Sequence, residues 1–401
     1  MDCADANDDP LVPVTVVCGF LGAGKTTLIT RLMQNLREDS SRCPLLIVND
    51  FSQTNVDGAM LSSSAARPTL KELSGGCICC TLLEDFVQVL VEAVKPRSSH
   101  NADDERSIPS SHQLPSEIIV ECTGLADPLP LMLLFLTHPS IVNDAVVGAR
   151  LNVKQFVSVV DVSSFDTSEL PLLSDQIKNV NTVVLNKVDA ISKERLRDVA
   201  VEVRRANANC SIVPATYGVF GPELFPAHSS LPNSEFPLSP LRRELWRSQN
   251  TAEVLKAKYA GWKDDGIPES EKYGFTTFTY DLHDKPPFSE ERLMQKVASG
   301  DALHGVVRSK GYFMMVCIDD SSANAAGSER QVAEPQRFLW SSVGRKFSYG
   351  VVRNAQAHPA QSTESGSLGG SATRCGIVFI GQQRLCKETI VAALESCFVT
   401  V

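Results

Sequence analysis

The 401-residue sequence has no apolar run approaching the roughly 18 uninterrupted residues that a membrane-spanning helix requires, so a membrane partner is not expected. It also lacks an excess of positive charge. Lys and Arg number 38 against 47 Asp and Glu, a formal net charge of -9, and no long basic run supplies the field that nucleic-acid binding needs. The opening text MDCADANDDP is acidic and has no apolar core, the wrong composition for a secretory signal or an Arg-rich transit peptide. No internal repeat is visible. The compositional bias of disordered or fibrous chains is missing too: 43% hydrophobic and 21% charged residues are ordinary globular usage. Twelve cysteines without a secretion signal read as reduced thiols rather than a disulfide framework, and the expectation is a cytoplasmic protein.

What is present is length enough for two domains. Short apolar, β-branched runs recur through the first half: VPVTVVCGF at 12–20, LLIVND at 45–50, EIIVECTG at 117–124, FVSVVDV at 156–162 and NTVVLNKVD at 181–189. Such runs suit strands covered on both faces. Helical patterns lie between several of them, for example TTLITRLMQNLRED and LEDFVQVLVEAVK, and this alternation predicts an α/β fold with a doubly wound, mostly parallel sheet. The Ser-, Asp- and Pro-rich text at 97–116 reads as a solvated insertion. The organisation expected is a nucleotide-binding domain over 1–217, a linker and connecting helix over 218–262, and a smaller α+β domain over 263–401. In that last part YGFTTFTYDL, GVVRSKGYFMMVCI, RFLWSSV and CGIVFIG read as strands. SEERLMQKVAS at 289–299 reads as a helix capped by Ser289, and KETIVAALESCF as a closing helix.

Gly19 to Thr26 fits G-x-x-x-x-G-K-(S/T) immediately after a strand pattern and at the start of a helix pattern, the context that gives the match its weight. Gly22 and Gly24 let the backbone curl so that successive N–H groups face an anion, and the helix N-terminus adds its dipole. Over Gly19, Phe20, Leu21, Gly22, Ala23, Gly24, Lys25, Thr26 and Thr27 the expectation is a phosphate cradle. In it Lys25 reaches the β- and γ-phosphates and the Thr26 hydroxyl ligates Mg²⁺. Glu121, closing a buried strand, is expected to reach the Mg²⁺ shell through water, with the Gly124 backbone near the γ-phosphate. Asn186, Lys187 and Asp189 in NKVD select guanine over adenine: the Asp189 carboxylate can accept from N1–H and the 2-amino group, donors that adenine lacks in those places. GTP is therefore expected rather than ATP. A Gly-rich turn, a strand-ending turn and a solvated strand end are the plainer readings of these three motifs. Their order along one chain favours the functional ones.

KELSGGCICCTLLED gathers thiols at Cys77, Cys79 and Cys80 after two glycines. Thiolates suit zinc or another borderline-soft cation, and three ligands rather than the four of a structural site leave a position open for exchange. Buried packing cysteines are the plainer reading, though three within four residues fit it poorly. His138, His228, His283 and His304 stand outside any ligand-spaced cluster.

The series GFLGAGKTT, GGCICC, ECTGLADP and LNKVD resembles the CobW-like metal-chaperone GTPases, a branch of the SIMIBI-class P-loop GTPases with a C-x-C-C metal motif. GYFMM, RFLWSSVGRKF and IVFIGQQR resemble the C-terminal domain of the same family, so the likeness spans nearly the whole chain. It implies GTP hydrolysis with Lys25, Thr26 and Glu121 in the catalytic site. It also implies zinc, or cobalt, held by Cys77, Cys79 and Cys80 and passed to a client metalloenzyme, and it admits a homodimer. The chain departs from the family text where Asn49, Asp50, Phe51, Ser52 and Gln53 replace an Asn-Glu-Phe-Gly-Glu switch, and at Ser289, where a His is common. The competing readings are a GTP-binding metal store or scaffold without productive hydrolysis and a small-molecule P-loop kinase.

Overall fold

The computed structural model describes residues 11–36, 42–50, 69–74, 82–95, 114–165, 171–221, 269–298, 301–317, 334–343, 346–352, 375–382 and 385–399. The chain divides into two compact units between Glu269 and Ser270.

The first unit is built on a seven-stranded sheet in the order β3-β2-β4-β1-β5-β6-β7. Its strands are β1 (Val12–Cys18), β2 (Leu45–Asp50), β3 (Thr69–Ser74), β4 (Ile118–Glu121), β5 (Leu151–Asp161), β6 (Thr182–Asn186) and β7 (Ser211–Ala215). Every pairing is parallel. All seven residues of β1 are buried, because the central strand is covered on both faces. On one face Val17, Ile119, Val157 and Val184 meet Leu28, Ile29, Leu32 and Met33 of α1 (Lys25–Leu36). On the other, Val14, Val16, Ile118 and Phe156 meet Phe86 and Leu90 of α2 (Leu83–Val94) and Phe135 of α3 (Pro128–Thr137). Phe86, Phe135 and Phe156 stack edge to face at centroid separations of 6.2 and 6.5 Å, a geometry that the ring quadrupole favours.

α3 reads PLPLMLLFLT and buries eight of its ten residues, as a helix apolar on all sides must. Pro128 suits its first turn, and Asp127 caps it by accepting from Leu129 N at 3.0 Å. The short α4 (Pro139–Val142) and α5 (Ala145–Arg150) follow it, and α6 (Pro171–Lys178) and α7 (Lys193–Ala206) complete the helices described here. Among the described residues no helix is long and apolar enough to cross a membrane.

In this unit two strands lie where the sequence reading had none. TLKELS forms β3, an edge strand whose Lys71 and Glu72 face solvent, so the thiol cluster follows an edge strand instead of filling a single β2–β4 connection. SIVPA forms β7 at the opposite edge, where one unbonded flank tolerates Pro214.

The second unit carries a six-stranded sheet: β12-β11-β10-β13-β8 antiparallel, with β9 parallel to β10. The strands are β8 (Thr276–Asp281), β9 (Phe288–Ser289), β10 (Val306–Val316), β11 (Gln336–Val343), β12 (Lys346–Val351) and β13 (Gly376–Gly381). Its core gathers Phe288, Phe313, Phe338, Trp340 and Phe379, and the Trp340 indole donates to Ser309 Oγ at 2.7 Å. Ser289 caps α8 (Glu290–Leu293), its hydroxyl accepting from Arg292 N. The helix expected over 289–299 then changes pitch, running as a π-helix from Met294 to Ala298. Leu293 and Val297, one on either side of the change, are both fully buried. α9 (Lys387–Glu395) closes the unit.

Candidate functional site

Because the first sheet is parallel, the carboxyl ends of its strands share one edge, where α/β folds bind ligands. Cys18 ends β1, Glu121 ends β4, Asp161 ends β5 and Asn186 ends β6, with Val17 beside Glu121 and Asp161 beside Asn186 in register. The glycine-rich loop crosses this edge between β1 and α1.

Two of its glycines are required by close neighbours as well as by conformation. Gly19 has φ +132°, and a Cβ there would lie 2.2 Å from the Val159 carbonyl oxygen. Gly24 has φ +103°, and its Cβ would lie 2.3 Å from Asn186 Nδ2. Lys25, the first residue of α1, is buried and donates to the carbonyl oxygens of Gly19 at 2.8 Å and Phe20 at 3.3 Å. The Thr26 hydroxyl donates to Glu121 Oε1 at 2.6 Å, bringing a hydroxyl and a 3%-exposed carboxylate together across 95 residues of sequence. Thr27 faces solvent. Gly124 packs on the loop so closely that a Cβ would meet the Leu21 side chain at 2.5 Å.

The NKVD segment is stitched to the same loop. Asn186 Nδ2 donates to Ala23 O at 2.8 Å, and its Oδ1 accepts from Gly218 N at 3.4 Å. Lys187 Nζ donates to Gly22 O at 2.9 Å and to Asp161 Oδ2 at 2.5 Å. Asp189 lies exposed in the 3₁₀ turn Val188–Ala190. Only two non-glycine residues among those described have left-handed φ: Lys187 at 64° and Tyr217 at 51°. Lys187 follows Asn186 and Tyr217 precedes Gly218, whose N–H donates to Asn186, and such strain, about 1–2 kcal/mol each, persists only where surrounding contacts enforce it.

Cys77, Cys79 and Cys80 lie outside the described residues, as do Phe51, Ser52, Gln53 and the side chain of Asp50. Among the described residues no three His, Cys, Asp or Glu side chains gather as metal ligands. Cys18, directly beneath the loop, is a poor candidate for metal or redox chemistry: burial pushes its thiol to about 12 despite the nearby Lys25 ammonium.

Sequence reasoning missed three contributors. Asp161 anchors Lys187; burial raises its carboxyl, but Lys187 and the two bonds from Ser163 outweigh that and hold it below the ordinary carboxylate range. Its signal was an acidic residue closing the apolar run FVSVV, the same pattern that pointed to Glu121. The Tyr217–Gly218 turn packs against the first turn of α1, where a Cβ on Gly218 would lie 3.0 Å from Leu28 N. Gln176 of α6, 1% exposed, donates to Gly124 O at 3.2 Å and Ala126 O at 2.9 Å, pinning the segment after Glu121.

This fold and edge define a P-loop nucleotide-binding protein. The chain belongs to the CobW/HypB/UreG family: that family's nucleotide-binding domain matches residues 13–214, and the cobalamin synthesis protein cobW C-terminal domain matches residues 276–398. It is 27% identical over 344 residues to the zinc-regulated GTPase metalloprotein activator 1 of Dictyostelium discoideum, covering 75% of this chain and 62% of that protein. It is 32% identical over 225 residues to the zinc chaperone CobW of a Sinorhizobium species, covering 51% and 58% of the two chains. Against the zinc chaperone CobW of Pseudomonas aeruginosa the identity is 26% over 378 residues, covering 88% and 86%. The chain thus spans less than two thirds of the length of the first two relatives.

Proposed function

We propose that this chain is a GTP-hydrolysing metallochaperone that takes zinc as cargo on Cys77, Cys79 and Cys80 and delivers it to a client metalloprotein in the cytoplasm. The observation that carries the reading is the convergence of Lys25, the Thr26–Glu121 pair, Asn186 and Lys187 on a single glycine-rich loop. The names of the relatives above support zinc and client delivery.

The donor sets fit the two ions differently. Thr26 and Glu121 offer a hydroxyl and a carboxylate, the oxygen chemistry of a hard cation such as Mg²⁺, whereas three thiolates suit zinc. Mg²⁺, when bound, supplies positive charge beside the β- and γ-phosphate oxygens. The chain's own residues do the rest. The backbone N–H groups from Gly22 to Thr26 face the phosphates at the N-terminus of α1. Lys25 exchanges the Gly19 and Phe20 carbonyls for phosphate oxygens. Gly124, held by Gln176, brings its backbone to the terminal phosphate, and Asp189 accepts from the guanine edge. Hydrolysis requires attack of water on the γ-phosphorus with GDP leaving, and Lys25 offsets the charge that develops.

The test compares the wild type with a Cys77→Ser, Cys79→Ser, Cys80→Ser variant for zinc bound per chain and for GTP turnover with and without zinc. The expected variant still binds GTP, holds no zinc, and turns over GTP without responding to the metal. Full zinc binding by the variant overturns the cargo assignment. Absence of hydrolysis in both proteins under every metal condition replaces the GTPase with a GTP-binding metal store.

A further inference from the structure

Lys187 is held at three points. Its backbone is left-handed at φ 64°, its ammonium reaches the Gly22 carbonyl, and the same ammonium is met at 2.5 Å by Asp161. Asp161 is itself oriented, since Oδ1 accepts from Ser163 N at 2.9 Å and from Ser163 Oγ at 2.6 Å, leaving Oδ2 for the lysine. The Lys187 side chain is 36% exposed and that of Asp161 only 10% exposed, so the carboxylate is the fixed partner and the lysine the one drawn to it. A strand-end ion pair serving stability alone would need neither the left-handed turn nor the shared Gly22 carbonyl. Two residues beyond Lys187 comes Asp189, exposed in its 3₁₀ turn.

We infer that Asp161 is a positioning residue for base recognition: through Lys187 it fixes the left-handed turn that aims Asp189 and ties that turn to the phosphate-binding loop. This rests on the guanine-nucleotide reading above and extends it to a residue outside both motifs. The carboxylate acts on the lysine in two ways. It neutralises an ammonium that would otherwise compete for phosphate oxygens, and it draws the lysine stem across the edge of β5 and β6, which closes the turn in one conformation. With Asn186 bonded to Ala23 and Lys187 bonded to Gly22, neighbouring residues of the base-reading segment grip neighbouring carbonyls of the loop. The consequence is that base and phosphates meet a single pre-formed frame, and Asp161 is the part of it that NKVD does not supply.

The experiment measures the affinities of the full chain for GDP, IDP and ADP in the presence of Mg²⁺, using the wild type, Asp161→Asn, Asp161→Glu, Lys187→Gln and the Asp161→Asn/Lys187→Gln double variant. IDP lacks the 2-amino donor, so the GDP-to-IDP ratio reads the placement of Asp189 directly. Because the lysine side is partly solvated, Asp161→Asn is expected to weaken GDP about tenfold rather than by orders of magnitude. The GDP-to-IDP ratio should collapse toward one. Asp161→Glu should recover part of both losses, and the double variant should be no worse than Lys187→Gln alone, because one residue acts through the other. If Asp161→Asn fails to fold, Asp161→Glu and the Lys187→Gln ratio still decide the matter. A wild type that binds ADP as tightly as GDP overturns the guanine reading and this inference with it. A guanine-selective wild type whose Asp161 variants keep its affinity and ratio within twofold, or additive losses in the double variant, overturns this inference alone.

Discussion

Gly24 has a neighbour as well as a conformation. At φ +103° any other residue would be strained, and a Cβ placed 2.3 Å from Asn186 Nδ2 must also push that amide away. Asn186 then loses Ala23 O, and the base-reading segment separates from the loop. Gly24→Ala is therefore expected to lower guanine-nucleotide affinity by roughly tenfold or more, beyond what its strain alone costs, with the change measured by titration calorimetry against wild type. Asp161 gives a second prediction with a definite sign. Its folded carboxyl titrates below its unfolded value of about 3.9, so the stability it contributes is fully present above that value and is lost as pH falls through the lower folded one. Urea midpoints should show a constant gap between wild type and Asp161→Asn from pH 5 to 8 in buffers of equal ionic strength, and a shrinking gap below about pH 4. A gap that opens instead at neutral pH would assign the effect to another group.

At the scale of elements, α3 is the apolar wall against one face of the parallel sheet. Phe135 bridges Phe86 and Phe156 in the core and is 3% exposed, so Phe135→Ala should cost about 3–5 kcal/mol in denaturant unfolding. Gln176→Leu should leave that core intact yet release the carbonyls of Gly124 and Ala126. The expected effect is a fall in GTP turnover with GDP affinity nearly unchanged, read by comparing kcat with a GDP titration. The same elements show what the sequence could disclose. β1, β2, β4, β5 and β6 were legible because burial on both faces demands continuous apolar text. β3 was not, because an edge strand with Lys71 and Glu72 in solvent needs no such text and is held by its register with β2. β7 hid behind a proline for the same reason. The phosphate loop and NKVD were legible because each is a local string. Gly218 and Gln176 were recruited singly, across sequence separations of 32 and 50 residues from the atoms they hold, and no local pattern records that, while Asp161, 26 residues from Lys187, left only the acidic end of its apolar run as a mark.

At the scale of the whole molecule, the two units have separate cores, one mostly aliphatic and covering both faces of a parallel sheet, the other centred on aromatic rings around Trp340. Every contact described for the nucleotide site belongs to residues before Ser270, so the linkage between ligand and stability should act on the first unit. The chain has three tryptophans, and Trp340 is the one among the described residues, fully buried in the second unit with its indole bonded to Ser309. Replacing Trp246 and Trp262 with Phe leaves Trp340 fluorescence as a reporter of the second unit, while circular dichroism follows both. Ligand at about 100 times its Kd stabilises the binding-competent state by about 2.7 kcal/mol, which for a domain of roughly 200 residues corresponds to a rise in Tm of about 5–10 °C. With saturating GDP and Mg²⁺ the dichroism transition of the first unit should rise by that amount, and the Trp340 transition should stay within a degree or two of its ligand-free position. A shared shift in both signals would mean that nucleotide stabilises the two units as one cooperative body, and the second unit, which bears none of the nucleotide contacts described here, would then be part of the machine that reads nucleotide state.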